Sequence, residues 1–511
     1  MTEPRLNRRL RALCDLDAAF LREYSGLHEE YDGTVIDLSP AGVRDRRDRL
    51  GGDRFPDPFD EAQVAATENA MRVRFGVVEQ HRRDPWVHLE ALDLSQYDRP
   101  YAPEPDRAAA RDRHLALWPD VVDHAVASLD LVHPAVAAMF LPAVRGVAGS
   151  IPVGAGEAAR TAATAAAERF AGHLAGIAGR PAEDHHLLGG DVLRSLLGCE
   201  DLITADLDEL LAMADAEQDR MRAVLDDALI KLGSGSGSAD EAVRRLKDDH
   251  GDFGAVLAEM QTGVDAATTF VTERGLIDVV DPDCEVAPAP ASRRWGVARV
   301  SWRAPWEDCG HSYFHVTPPD PGWSAADADA WLRRFNRSVV PVVAVHEVTP
   351  GHCSHARAMA AAPTAVQRTL WSELFFEGWA HYAEEMCWEE GFAAADPRYQ
   401  AGMAMDALLR IARVRCAVGL HTGALTLEDA VALLVRDGFV DGPMARSEAV
   451  RGLWEPSYIR YTWGKVLLRR LRDRLREQWG SDFTLPRFHR ELLAHGSPPV
   501  GLIARELGVS L

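Results

Sequence analysis

Seven apolar residues, Val339 to Val345, run without a break into His346-Glu347-Val348-Thr349-Pro350-Gly351-His352. A run that apolar belongs in the interior. A buried segment rarely ends in a carboxylate unless that charge is paired or bound to a metal. The chain is therefore constrained to fold so that a core helix delivers an imidazole and a carboxylate to a place that uses them. Thirty-one residues beyond His346 stands Glu377, inside Phe376-Glu377-Gly378-Trp379-Ala380. Two imidazoles, a carboxylate beside one of them and a downstream acid are the parts of a catalytic zinc site. Imidazole nitrogen and carboxylate oxygen suit Zn²⁺, and three protein donors leave a position for water. A Glu that follows a ligating His without binding the metal itself can accept a proton from that water.

The spacing differs from the zincin arrangement, in which the two His stand at i and i+4 on one helix face. Here they stand at i and i+6. At about 100° per residue their side chains point roughly 120° apart on a straight helix. Pro350 removes a helix hydrogen bond, and Gly351 accepts unusual backbone angles. The pair predicts a kink just after Thr349 that swings His352 back toward His346. Taken alone, the Pro-Gly is equally well read as a helix end with two polar residues near it. His355 is the rival third donor, but it lies nine residues from His346, about 180° away on a straight helix, and needs the same kink.

A long helix is predicted over 367–390, carrying Glu373, Glu377, His381 and Glu384, with 377, 381 and 384 on one face. A solvated polar stripe accounts for Glu389 and Glu390. It fits Glu377 poorly, because Phe375, Phe376 and Trp379 flank it. The reading assigns His346, His352 and Glu377 to one Zn²⁺ ion, Mn²⁺ or Fe²⁺ being alternatives, and Glu347 as general base. His381 and Glu384 then orient the donors, and His355 contacts substrate or supports the site. Gly378 inside a helix costs up to about 1 kcal/mol relative to Ala, and close packing against the metal helix is the expected compensation. Tyr461 and Arg460 are candidates to donate to a developing oxyanion, although Tyr461 also reads as an aromatic core residue. His421 fits a helix C-terminus or a place lining the site. His311 and His315 read as structural.

Both halves of this pattern resemble a large bacterial family of zincin-like proteins, long labelled a domain of unknown function. Its motifs are His-Glu-x-x-Pro-Gly-His and Glu-Gly-Trp-Ala-x-Tyr-x-Glu, matched here by His346 to His352 and Glu377 to Glu384. The likeness continues through Arg410-x-x-Arg413, Gly419-Leu420-His421, Glu448-x-x-Arg451, Tyr461-x-x-Gly464, Leu471-Arg472 and Phe488-His489-x-x-Leu492-Leu493-x-x-Gly496. Upstream, Tyr313-Phe314-His315-Val316-Thr317 is similar to the family's aromatic segment before the metal helix, which places Tyr313 near the site. The resemblance covers roughly residues 190–510. It implies a mainly α, zincin-like metallopeptidase fold with a small β-sheet near the metal helix. This chain departs from the family at Cys353 and His355, at Ala417, and at Pro456-Ser457-Tyr458-Ile459. Those departures point to a divergent substrate or to lost activity.

Organisation along the chain is helical throughout. Helices are predicted over 1–30, 60–82, 106–131 with a break at Pro119, 158–179, 207–232, 239–246 and 325–337, the last opened by Ser324 and Asp327 in a capping box. Residues 39–58 read as a loop. Residues 233–238, Gly-Ser-Gly-Ser-Gly-Ser, read as a flexible linker. A short strand is expected from Trp295 to Trp302. The division that follows is an N-terminal helical region, 1–190, and a zincin-like catalytic region, 191–511, joined in one bilobed unit with a cleft. Fifty-six basic residues against 78 acidic ones give a net charge of −22, which argues against nucleic acid and anionic membranes. No window is apolar enough to span a bilayer, and the first residues lack a signal-peptide core. Seven dispersed Cys fit reduced thiols in the cytoplasm. The expectation is a zinc-dependent hydrolase of a small peptide or modified amino acid. The alternatives are a metal-dependent tailoring enzyme or lyase on a non-peptide amide, and a ligand-binding pseudoenzyme. A homodimer is left open.

Overall fold

The chain is mainly helical because Ala, Leu, Arg and Glu fill its periodic segments, and the helix starts carry caps. A computed structural model describes residues 6–233, 238–281, 283–290, 294, 297–440 and 442–511. In the N-terminal part, Glu104–Ala116, Trp118–Ser128 and Pro134–Gly146 pack on the Ala-rich helix Glu157–Ala178. The elements that build the site follow in chain order. They are α1 (Leu207–Lys231), α2 (Phe253–Arg274), β1 (Glu285–Pro288), β2 (Ala298–Ser301), β3 (Tyr313–Val316), α3 (Val340–Glu347), α4 (His352–Ala361), α5 (Glu373–Glu389), α6 (Pro397–Thr422), α7 (Gly442–Trp454) and α8 (Arg460–Trp479). The sheet has the order β1-β3-β2, with β3 parallel to β1 and antiparallel to β2.

Helix α3 is apolar on every side because every side is covered. It lies against α2, α5 and α6. The Asn336 side chain accepts from the backbone N–H groups of Ser338 and Val339 just before it, both at 3.2 Å. Strand β2 packs against α4. Phe314, Val316, Ala344, Val348, Cys353 and Phe376 then share one apolar cluster, which puts the small sheet beside α3 and α4. The helix Pro134–Gly146 packs on α7, so N-terminal and C-terminal parts touch over the site.

Several sequence readings change. Residues 1–30 are not one helix but three short ones, Arg8–Cys14, Ala18–Tyr24 and His28–Tyr31, and residues 1–5 lie outside the described residues. The segment read as a loop over 39–58 holds a helix, Pro40–Asp48. The Ser39 hydroxyl caps it, and Pro40 sits where a missing N–H costs nothing. The helix read over 60–82 runs Pro58–Arg72 and continues as a π-turn, Val73–Val77. The helix read over 367–390 is split. Ala365–Thr369 ends before the extended Leu370, and the Ser372 hydroxyl starts α5 by accepting from Phe375 N. The helix over 325–337 is α-helical only over Ala325–Leu332, and the strand is shorter than Trp295 to Trp302. Residues 234–237 of the Gly-Ser linker, and Trp295 and Gly296, lie outside the described residues.

Candidate metal centre

Helix α3 ends at Glu347, and a new helix starts at His352. Between them the Thr349-Pro350 peptide is cis, and the chain folds back over the carboxyl end of α3. Gly351 N donates to Val345 O at 3.0 Å. A Cβ at Gly351 would lie 1.7 Å from His346 O, so no other residue fits this approach. The sequence predicted a kink, and the structure has a complete break. Its effect is the one the spacing required: the His346 and His352 rings face each other edge-on, with centroids 4.7 Å apart.

Glu377 comes from the second turn of α5. Its Oε2 lies 3.5 Å from His346 Nε2 and 3.3 Å from His352 Nε2, and it is a buried oxygen without a hydrogen-bond partner of standard geometry. The three donor atoms lie within 4.8 Å of one another. Donors held at about 2.0–2.1 Å around a tetrahedral ion lie about 3.3–3.4 Å apart, so two of the separations match a small divalent cation. The electrostatics agree with that fit. Burial and Arg410 push the His346 imidazole down, but Glu377 and Glu384 outweigh them and lift it to about 10. Glu377 in turn is held well below the usual carboxylate range by the two imidazoles, against the opposing effect of burial.

Glu384, two turns on along α5, is fully buried. It accepts from His346 Nδ1 at 2.6 Å and from Arg410 at 2.9 and 3.0 Å. That bond leaves His346 Nε2 for a metal and fixes the ring. Phe376 stacks on His352 at 4.5 Å on one side and on His355 at 4.8 Å on the other. His355 is not a donor. It is fully buried, gives its Nε2 proton to Gly496 O at 3.1 Å, and is pushed down to about 3 by burial. It reaches the site through Phe376 and Trp379. Trp379 donates from Nε1 to Pro350 O at 2.8 Å, tying the second motif to the break in the first. Gly378 packs not on the metal helix, as expected, but on Gly464 of α8: a Cβ there would lie 2.6 Å from Gly464 Cα.

The remaining candidates divide. Glu347 follows His346 with a partly exposed carboxylate. Tyr461 lies over His346 at 6.4 Å, and Arg410, Arg413, Arg451 and Arg460 all lie within 6 Å of its ring. Arg460 pairs with Glu455 and with Glu373. Tyr461, Arg460 and Glu377 all line a cavity of about 630 Å³ between the N-terminal and C-terminal parts. His381 is buried one turn beyond Glu377, and neither ring nitrogen has a partner of standard geometry. His421 is structural: it bonds Gly452 O at 2.9 Å and accepts from Leu188 N at 3.2 Å. Tyr313 sits on β3, stacked on His315 at 5.4 Å, and does not line that cavity. Sequence reasoning gave no role to Arg410, which binds Glu384, or to Arg451, which donates to Tyr461 OH at 3.4 Å. Their spacing along α6 and α7 was the available signal. It missed the cavity acids Asp17, Glu90 and Glu200 altogether, since they have no local pattern.

A family model described as a bacterial protein of unknown function, DUF885, matches residues 21–507. Two solved structures share the fold. One, provisionally described as a lipoprotein of unknown function from Shewanella oneidensis, is 20% identical and has a TM-score of 0.74, over 97% of each chain. The other, provisionally described as a lipoprotein from Colwellia psychrerythraea, is 16% identical and has a TM-score of 0.74. It covers 98% of this chain and 96% of its own. No curated protein matches the chain.

Proposed function

The chain belongs to that bacterial family of unknown function, and we propose that this member is a metal-dependent hydrolase that cuts a peptide or amide bond in a small substrate. One observation supports the reading above all. His346, His352 and Glu377, from three different helices, bring three donor atoms within 4.8 Å of one another, and the Glu377 oxygen beside both imidazoles has no hydrogen bond of standard geometry. These residues would hold one divalent cation, with zinc fitting the donors best. Bound there, the ion supplies Lewis acidity and lowers the pKa of a water.

The chain's own groups do the rest. Glu347, adjacent to a donor and partly open, accepts the proton of the attacking water and passes it to the leaving amine. Tyr461 and Arg460, on the cavity wall beside Glu377, donate to the oxygen on which negative charge develops. Glu384 holds His346 in the tautomer that faces the site, and Arg410 holds Glu384. The cavity of about 630 Å³ suits a ligand of a few residues rather than a folded protein. The seven cysteines, all free thiols, support a reducing, cytoplasmic setting.

The test is metal analysis of purified protein together with turnover on a dipeptide and N-acyl amino acid panel before and after chelation. About one equivalent of metal is expected, falling to near none in His346→Ala and Glu377→Ala. Full occupancy in both variants, or turnover indifferent to chelation, would overturn the reading.

A further inference from the structure

The cavity that opens beside Glu377 is lined by more carboxyl groups than basic groups. Eight carboxylates line it against four guanidinium groups. The guanidiniums are already engaged. Arg451 and Arg460 both bond Glu455, Arg74 faces Asp17 at 3.4 Å, and Arg83 donates to the backbone carbonyls of Val78, His185 and His186. The triad accounts for Glu377 alone. Asp84 accepts from Trp86 N and Asp201 from Ser372, Asp17 has Arg74 and Glu373 has Arg460, and Arg74 is the cation set among Asp17, Glu200 and Glu373. Glu90 and Glu200 form no ion pair among the described residues. Burial and their carboxylate neighbours, Asp17 beside Glu90 and Asp201 and Glu373 beside Glu200, hold both well above the usual range.

This is not a solvated helix face. Asp17 precedes the helix Ala18–Tyr24, Glu90 closes the helix Pro85–Glu90, Glu200 lies in the turn after Gly189–Leu196, and Glu373 opens α5. Four separate segments bring carboxylates to one cavity, where each raises the cost of ionising the others. The same volume has Glu377 and the Tyr461 ring in its wall. Glu373 and Glu377 are one helical turn apart, about 6 Å along the axis, so a ligand of a few bonds reaches from one to the other.

We propose that the substrate is a small amide bearing a positive charge, seated among Asp17, Glu90, Glu200 and Glu373 while the bond to be cut lies at Glu377. The proposal rests on the hydrolase reading for the position of the scissile bond, but not for the binding of the cation. The shared chemistry is an ammonium or guanidinium group about one residue away from that bond. It comes from a free amino terminus or from a basic side chain. An acidic ligand would meet further carboxyl groups and guanidiniums that are already engaged.

Binding separates this idea from the hydrolase reading. Titration calorimetry on the purified full chain would compare N-acetyl-lysinamide, its near-isosteric neutral analogue N-acetyl-norleucinamide, N-acetyl-glutamic acid amide and alaninamide. A charge-assisted contact corresponds to about tenfold or more in affinity. The lysine derivative, the amino-terminal alaninamide or both should exceed the norleucine derivative by that factor, and whichever does identifies the source of the charge. The glutamic acid derivative should bind weakest. Glu90→Gln with Glu200→Gln should bring the cationic and neutral ligands to parity, and Glu200→Gln alone should narrow the gap if the double variant folds poorly. Equal or tighter binding of the neutral or acidic ligand to the unmodified chain would overturn the proposal. Cation binding without any turnover would count against the hydrolase alone.

Discussion

Glu384 shows how much one buried group can decide. It has no exposure, accepts from His346 and Arg410 together, and never faces the cavity. Glu384→Gln keeps its shape but removes the charge that orients His346. Metal affinity, read by competition with a chromophoric chelator, should fall roughly 10–100-fold, while the fold survives. An unchanged affinity would mean that Glu384 serves packing alone. Glu347→Gln makes the opposite case, because an amide cannot accept the proton. Turnover should vanish with the metal retained, and loss of the metal instead would make Glu347 a ligand. The pair His352 and His355 tests the break in the chain. His352→Ala should lose metal. His355→Gln should keep it and lose stability through the Gly496 contact, by about 1–3 kcal/mol for a buried polar group left unpaired. The reverse result would exchange their roles.

At the level of elements, the two motifs are one mechanical unit. The break at Thr349-Pro350-Gly351 brings His352 round, and Trp379 of α5 holds the Pro350 carbonyl. Gly351→Ala places a Cβ 1.7 Å from His346 O, so the turn must open and the two imidazoles separate. The variant should bind little metal and melt well below the parent, and a full equivalent of metal at an unchanged melting temperature would refute the account. The break and the approach of His352 to His346 were legible in the sequence because one short stretch, His346 to His352, encodes both. Helices with strong periodicity, such as Leu207–Lys231, Glu157–Ala178 and the pair split near Pro119, were legible for the same local reason. The split at Leu370 to Ser372 was not. Ser372 is held from outside the helix, by Asp201 at 2.5 Å and Ser497 O at 2.8 Å, and no window around it carries that information. The helix Pro40–Asp48 was missed although Ser39-Pro40 is a start signal, because Pro, Gly and Asp elsewhere in the segment outweighed it. Gly378 was read correctly as a close approach but paired with the wrong helix, since a glycine signals that something comes near and not what.

Across the whole molecule, the cavity between the two parts trades stability for charge. Two kinds of buried group pull the pH dependence of folding in opposite directions. His88, His114, His421 and His489 are pushed down to about 3 or 4, chiefly by burial. They stay neutral in the fold while the unfolded chain protonates, so each costs stability as pH falls below about 6.5. Glu90 and Glu200 are raised, chiefly by burial. They stay protonated in the fold while the unfolded chain ionises, so each costs stability as pH rises above about 4.3. A melting curve of the parent alone mixes these effects, but a difference curve does not. Glu90→Gln with Glu200→Gln removes only the second kind. Near pH 4 the double variant and the parent should melt together, since both carry uncharged side chains there in either state. As pH rises from there the variant should become the more stable, by about 1.4 kcal/mol for each unit by which a carboxyl is held above its unfolded value. A cationic ligand should raise the parent's melting temperature at pH 7 and leave the variant's nearly unmoved, because it supplies to the parent the compensation that the substitutions make unnecessary. A difference curve that is flat with pH would mean that the two carboxylates are already balanced within the fold, and the charge in the cavity would then need no ligand.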